Sequence, residues 1–114
     1  MAVKVEIVES LFEEIEKKFK KESIKIFDLM ETLVENPRKG KTIGIVGGIV
    51  IKEIKYKNFR FFFIADSSKL KFFDENSLVD ILLRFVRMSN KNNQQKVIDE
   101  IKSILLKIGP SGFV

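Results

Sequence analysis

The apolar residues of this chain change period twice, and that change limits the folds open to it more than any other feature. Up to Asn36-Pro37 they recur every three to four residues. Leu11, Phe12, Ile15 and Phe19 share one side of a first stretch, and Ile24, Phe27, Met30, Leu33 and Val34 continue the spacing. From Thr42 the β-branched and aromatic residues that suit pleated strands take over. From Val97 to Ile108 the helical spacing returns and stops at Gly109-Pro110. Two amphipathic helices, a run of strands and a closing helix predict an α+β domain, with the sheet in the middle of the sequence.

Local signals refine this order. Val3, Val5 and Ile7 alternate with Lys4 and Glu6, as in a half-buried strand, and Ser10-x-x-Glu13 reads as a capping box opening the first helix. Lys20-Lys21-Glu22-Ser23 makes a polar corner, so the two helices form an antiparallel hairpin ending at Pro37. Gly47-Gly48, between Ile43–Val46 and Ile49–Ile51, predicts a two-residue β-hairpin turn, since glycine accepts the positive φ that such turns need. Without a following helix or a P-loop lysine, the pair is weak evidence for a phosphate cradle. Phe59–Ala65 is apolar on both faces and predicts a central strand covered on one side by the helices. The turn Asp66-Ser67-Ser68, a short Lys69–Phe73 segment, a turn at Asp74–Ser77 and a strand from Leu78 to about Arg87 follow. Asn92 or Asn93 then caps the last helix. The expected order is β-α-α-β-β-β-β-α over a single domain, residues 1–114, with an antiparallel sheet packed against the helical hairpin and the C-terminal helix.

Several chemistries are excluded at once. The chain has no cysteine and no histidine, so disulfides, structural zinc and catalysis by thiolate or imidazole are out. No carboxylates have ligand-like spacing, so neither a metal nor another cofactor is expected, and Asp74-Glu75 is more simply a turn. No segment approaches the roughly 18 apolar residues of a membrane span, and the N-terminus lacks the apolar core of a signal peptide. A cytoplasmic protein without membrane partners is expected.

Charge is unevenly spread. Residues 1–37 hold six Lys/Arg and nine Asp/Glu, residues 38–91 twelve and five, and residues 92–114 three and two. The positive excess thus belongs to the strands, where it serves either as a solvated face or as a site for a polyanion.

Four stretches carry a family resemblance: Glu35-Asn36-Pro37-Arg38-Lys39-Gly40-Lys41, Ile51-Lys52-Glu53-Ile54-Lys55, Phe59-Arg60-Phe61-Phe62, and Phe85-Val86-Arg87-Met88-Ser89-Asn90-Lys91. In this order over roughly residues 3–105 they resemble the RelE/ParE superfamily of toxins, most of all HigB and its phage-derived relatives. The resemblance implies the toxin of a type II toxin–antitoxin system, an mRNA interferase acting on mRNA at the ribosome and silenced by a cognate antitoxin protein. It also implies a metal-independent endoribonuclease. The alternative on the same scaffold is a non-catalytic or ParE-like module that inhibits a protein partner.

RNA cleavage through the 2′-hydroxyl needs a base, cations to stabilise the phosphorane-like transition state, and an acid for the leaving oxygen. Arg60 matches the family's central arginine and is the expected phosphate clamp, its fork fitting two phosphate oxygens; its structural alternative is an ion pair with Glu53. Arg87 and Lys91 fall where the family places basic residues near the scissile phosphate. Glu53 is the acidic candidate for general base, and Lys52, Lys55, Lys57 and Arg84 are the expected RNA-binding cations. Where active members carry a Tyr or His near the C-terminal end, this chain has Asn92, Asn93, Gln94 and Gln95. Tyr56 and Phe113 are the aromatic substitutes that remain.

Overall fold

A computed structural model describes residues 2–74 and 80–114. Strand β1 (Val3–Ile7) leads into helix α1 (Glu9–Phe19), a 3-10 turn at Lys20–Glu22, helix α2 (Ser23–Glu31) and a second 3-10 turn at Thr32–Val34. Strands β2 (Lys41–Val46), β3 (Ile49–Tyr56) and β4 (Phe59–Asp66) follow as a meander. The short helix α3 (Ser67–Lys71), strand β5 (Ile81–Asn90) and helix α4 (Gln94–Lys107) complete the order, with a final 3-10 turn at Pro110–Gly112.

The five strands form one sheet in the order β1-β5-β4-β3-β2. β2, β3, β4 and β5 pair antiparallel, but β1 lies parallel to β5, with Val3 opposite Ile81 and Ile7 opposite Phe85. The sheet is therefore mixed, not antiparallel throughout. The helical connection through α1 and α2 carries the chain from β1 to β2 at the opposite edge, so β1's neighbour is β5, reached only after the whole meander, and no tight turn between the two forces them antiparallel.

Phe61, Phe62 and Phe63 on β4 are fully buried, because both faces of this strand are covered, not one. One face takes the helical hairpin: Phe19 of α1 meets Phe59 edge-on, ring centroids 5.0 Å apart, and lies 6.3 Å from Phe61. The other takes α4, which buries Val97, Ile98, Ile101 and Leu105.

Other local expectations change. The Ser10 capping box is not formed: α1 begins at Glu9, Val8 stands at the cap without a side-chain bond, and the Ser10 hydroxyl donates to the Val114 carbonyl. The buried seam of α2 runs through Ser23, Ile26 and Met30 and continues at Leu33 in the 3-10 turn that follows, while Ile24 faces solvent. The 3-10 turn at Lys20–Glu22 winds more tightly than an α-helix and shifts the phase between the two helices. Residues 67–71 form α3, with Asp66 capping the Lys69 amide at 3.0 Å. The Gly47-Gly48 turn has the expected positive φ, 56° and 79°. The described part of the last strand starts at Ile81 and reaches Asn90. Its expected start at Leu78, and most of the expected turn at Asp74–Ser77, lie outside the described residues. No described helix is long and apolar enough to cross a membrane.

Candidate nucleic-acid interface

Strand register decides which charges share a surface, since residues directly opposite one another in an antiparallel pair project from the same face. Lys55 of β3 is opposite Arg60 of β4, and Arg60 is opposite Ser89 of β5, giving one row across three strands. Two residues along, Glu53, Phe62 and Arg87 form the next row on the same face, and Arg84 is opposite Ile64 beyond it.

Helix α4 lies on this face. Gln94 at its start donates from Nε2 to Glu53 Oε2 at 3.2 Å, and Glu100, further along, accepts from Arg87 Nε at 3.0 Å. Both contacts fall on the Glu53–Phe62–Arg87 row, and Lys102, later in the helix, lies against Gly44, which is opposite Ile51 in Arg84's row; the helix thus starts past Ser89 and runs back over the rows beyond it. The loop that starts it is closed by asparagines: the Asn93 side chain accepts from the Asn90 amide at 2.8 Å, and Asn90 Oδ1 accepts from the amides of Asn92 and Asn93. Asn93 is the N-cap residue, yet with its side chain turned back to Asn90 it makes no side-chain cap to the helix.

The covered and open ends treat their charges differently. Arg87 is tied three ways: to Glu100, to the Val86 carbonyl at 2.7 Å, and over the Phe113 ring with the guanidinium carbon 5.2 Å from its centre. Arg84 Nε is buried without a hydrogen-bond partner among the described residues, but it lies 3.3 Å from Glu6 Oε1 as an ion pair, and Nη1 donates to the Pro110 carbonyl at 3.3 Å. At the open end, Arg60 is half-buried; among the described residues its one hydrogen bond is a long 3.4 Å contact to the Asn58 carbonyl, and its Nε is buried without a partner. The Ser89 hydroxyl, on a residue only 2% exposed, is also without a partner among the described residues. Lys55 and Lys91 are exposed and form no ion pair among the described residues. An unsatisfied buried donor costs about 1–3 kcal/mol, so this end of the sheet holds polar capacity that the fold does not use.

The remaining candidates lie elsewhere. Lys52 projects from the opposite face, 4% exposed, and donates to the Arg38 carbonyl at 2.6 Å; burial pushes its ammonium below the usual lysine range. It anchors the loop before β2. Lys57, in the turn between β3 and β4, pairs with Glu22, as does the Tyr56 hydroxyl. The Lys57 and Tyr56 hydrogen bonds hold the Glu22 carboxyl below its ordinary range, and the same contacts raise both partners. This cluster pins the hairpin to the corner between α1 and α2. Glu53 is 2% exposed and bonded to Gln94, and it forms no ion pair with Arg60 among the described residues. Tyr56 and Phe113 are engaged with Glu22 and Arg87, so neither stands beside Arg60.

The structure thus brings Arg60 and Lys55 into one row, with Lys91 in the loop just past the end of β5 and Glu53 and Arg87 one row away, Arg87 being taken up by Glu100; Arg84 lies a further row on, and Lys52 and Lys57 lie elsewhere. Ser89 and Gln94 were not singled out from the sequence. Ser89 lies two residues beyond Arg87 in a strand, so the period of two was the signal that placed it on Arg87's face.

Comparison with known protein families, with curated proteins and with solved structures found no match.

Proposed function

We propose that this chain is the toxin of a type II toxin–antitoxin pair, an mRNA endoribonuclease of the RelE/HigB type that acts at the ribosome. One observation carries the reading: Arg60 stands at the open end of a basic sheet face, its guanidinium making one long hydrogen bond and no ion pair among the described residues, with Lys55 directly opposite and Lys91 in the loop that follows β5. A phosphodiester satisfies such a group, since a guanidinium fork matches two phosphate oxygens and the lysines add charge along the backbone.

In this reading the RNA backbone crosses the Lys55–Arg60–Ser89 row. Attack of the 2′-hydroxyl oxygen on phosphorus breaks the bond to the 5′-oxygen and leaves a cyclic phosphate. Arg60 stabilises the charge gathering on the non-bridging oxygens. Glu53 is the base candidate nearest the row, reached once Gln94 releases it, and Lys91 is the donor available to the leaving oxygen. Inducible expression should arrest growth and cut mRNA on translating ribosomes. Arg60→Ala should restore growth and lower the cleavage rate about 100- to 1,000-fold. Intact mRNA in arrested cells would remove the nuclease assignment.

A second reading, a non-catalytic module of the ParE kind that blocks a protein partner, is favoured by Arg87. The arginine that the resemblance sets beside the scissile phosphate is bound to Glu100, Val86 and Phe113. Toxicity that survives Arg60→Ala would select it.

A further inference from the structure

Lys52 is a charge that the fold buries without neutralising. It projects from the face opposite α4, is 4% exposed, and forms no ion pair among the described residues. Its hydrogen bond to the Arg38 carbonyl, at 2.6 Å, takes one of the three donors of the ammonium. Burial lowers its pKa, and no carboxylate acts to raise it. A buried charge is costly unless it is paired, so what surrounds Lys52 decides what can pair it.

The surroundings form an open groove of about 530 Å³ against β2, β3 and α3, a volume within the range of small-molecule sites. Two more cations line it, Arg38 and Lys71, together with Ser67 and Ser68, and its described lining includes no acidic residue. The carboxylate of Asp66, just before Ser67, accepts from the Lys69 amide at 3.0 Å. Arg38 donates from Nε to the Leu70 carbonyl at 3.5 Å, and from Nη2 to the carbonyls of Lys71 at 3.2 Å and Phe73 at 2.5 Å. Its guanidinium is therefore positioned before any ligand arrives. At the rim the Phe72 ring is 74% exposed, with the Lys71 ammonium 5.5 Å from its centre. An open aromatic face beside cations suits a flat ring joined to an anion.

We infer that this groove binds a small phosphate monoester with a flat aromatic part, the size of a nucleoside monophosphate. Its phosphate is taken by Lys52, Arg38 and Lys71, and its ring lies on Phe72. A phosphate monoester brings three acceptor oxygens and nearly two negative charges to this group of cations and hydroxyls. A carboxylate, or a phosphodiester inside a chain, has two such oxygens and one charge, so the groove selects a free monoester over RNA. The Lys55–Arg60–Ser89 row lies on the other face and shares no residue with the groove. The inference therefore does not rest on the nuclease reading.

The test titrates the whole 15N-labelled protein with adenosine 5′-monophosphate above about pH 7, where the phosphate is close to doubly charged, and follows amide shifts. Saturable shifts at Arg38, Thr42 and across residues 67–72 are expected. Adenosine should give none there, and inorganic phosphate and the dinucleoside monophosphate ApA should bind at least tenfold more weakly than the monophosphate. Phe72→Ala and Lys71→Glu should each weaken the monophosphate about tenfold, through the lost ring contact and the reversed charge. Both side chains are exposed, and spectra unchanged away from the substitutions show that the variants fold. Lys52→Met should abolish binding, but it also releases the Arg38 carbonyl, so the two exposed variants decide. Absence of saturable shifts in the groove, shifts confined to Arg60 and Ser89, equal binding of phosphate or ApA, or full affinity in Phe72→Ala and Lys71→Glu would each overturn the inference. Ribosomal mRNA cleavage, measured separately, reports on the nuclease reading alone.

Discussion

The two ends of the α4-bearing face carry the same kinds of residue and use them in opposite ways. Under α4, Arg84 and Arg87 are matched by Glu6, Glu100, two carbonyls and an aromatic ring. Beyond its start, Arg60 has no carboxylate partner among the described residues, and Lys55 and Lys91 form no ion pair among them. Arginines inside a folded sheet are costly unless satisfied, so the ion-paired arginines read as architecture, and Arg60 is the one that the proposed function assigns to a ligand. Positive charge in a sequence marks both equally; only the partners separate them.

The division depends on α4 sitting firmly on the sheet, and Phe62, fully buried in the same row as Arg87, belongs to the face that α4 covers. Phe62→Ala should cost about 3–5 kcal/mol, measured by chemical denaturation, and should expose Arg87 along with Arg60. Arg87→Ala removes the tie to Glu100 and the ring contact with Phe113. A loss of about 1–2 kcal/mol in stability is expected, with RNA affinity nearly unchanged; a large fall in affinity at full stability would erase the distinction between the ends.

At the open end, Lys55→Ala should leave stability within about 0.5 kcal/mol. It should weaken RNA binding a few-fold and reduce the slope of log affinity against log salt by about 1. The smallest effect concerns the opposite face. The folded-state pKa of Glu22 is depressed, so its contribution to stability is present above its unfolded pKa and is lost as pH falls through the folded value. Glu22→Gln should therefore flatten the acid side of the stability profile below about pH 4.5, with no change in RNA binding.

Much of the fold was legible because its signals are local. The alternation of Val3, Val5 and Ile7, the Gly47-Gly48 turn and the helical spacing from Val97 all act over a few residues. The parallel pairing of β1 with β5 was not legible, since it joins segments about 80 residues apart and no local pattern distinguishes it from antiparallel pairing. The Ser10 cap failed for a related reason: the hydroxyl was claimed by the far end of the chain. For the site, residue type suggested Arg60, Arg84 and Arg87 alike. What separates them is which rows α4 covers, and that follows from the turn at Asn90–Asn93, whose side-chain bonds send the helix back across the sheet.

The most direct test expresses wild type, Arg60→Ala and Arg84→Ala from one inducible promoter, confirms that each is folded, and compares growth with mRNA cleavage at ribosomes. The account predicts arrest and cleavage by wild type and Arg84→Ala, and neither by Arg60→Ala. Equal toxicity of all three, or loss only in Arg84→Ala, would contradict the claim that the open end of this face does the work.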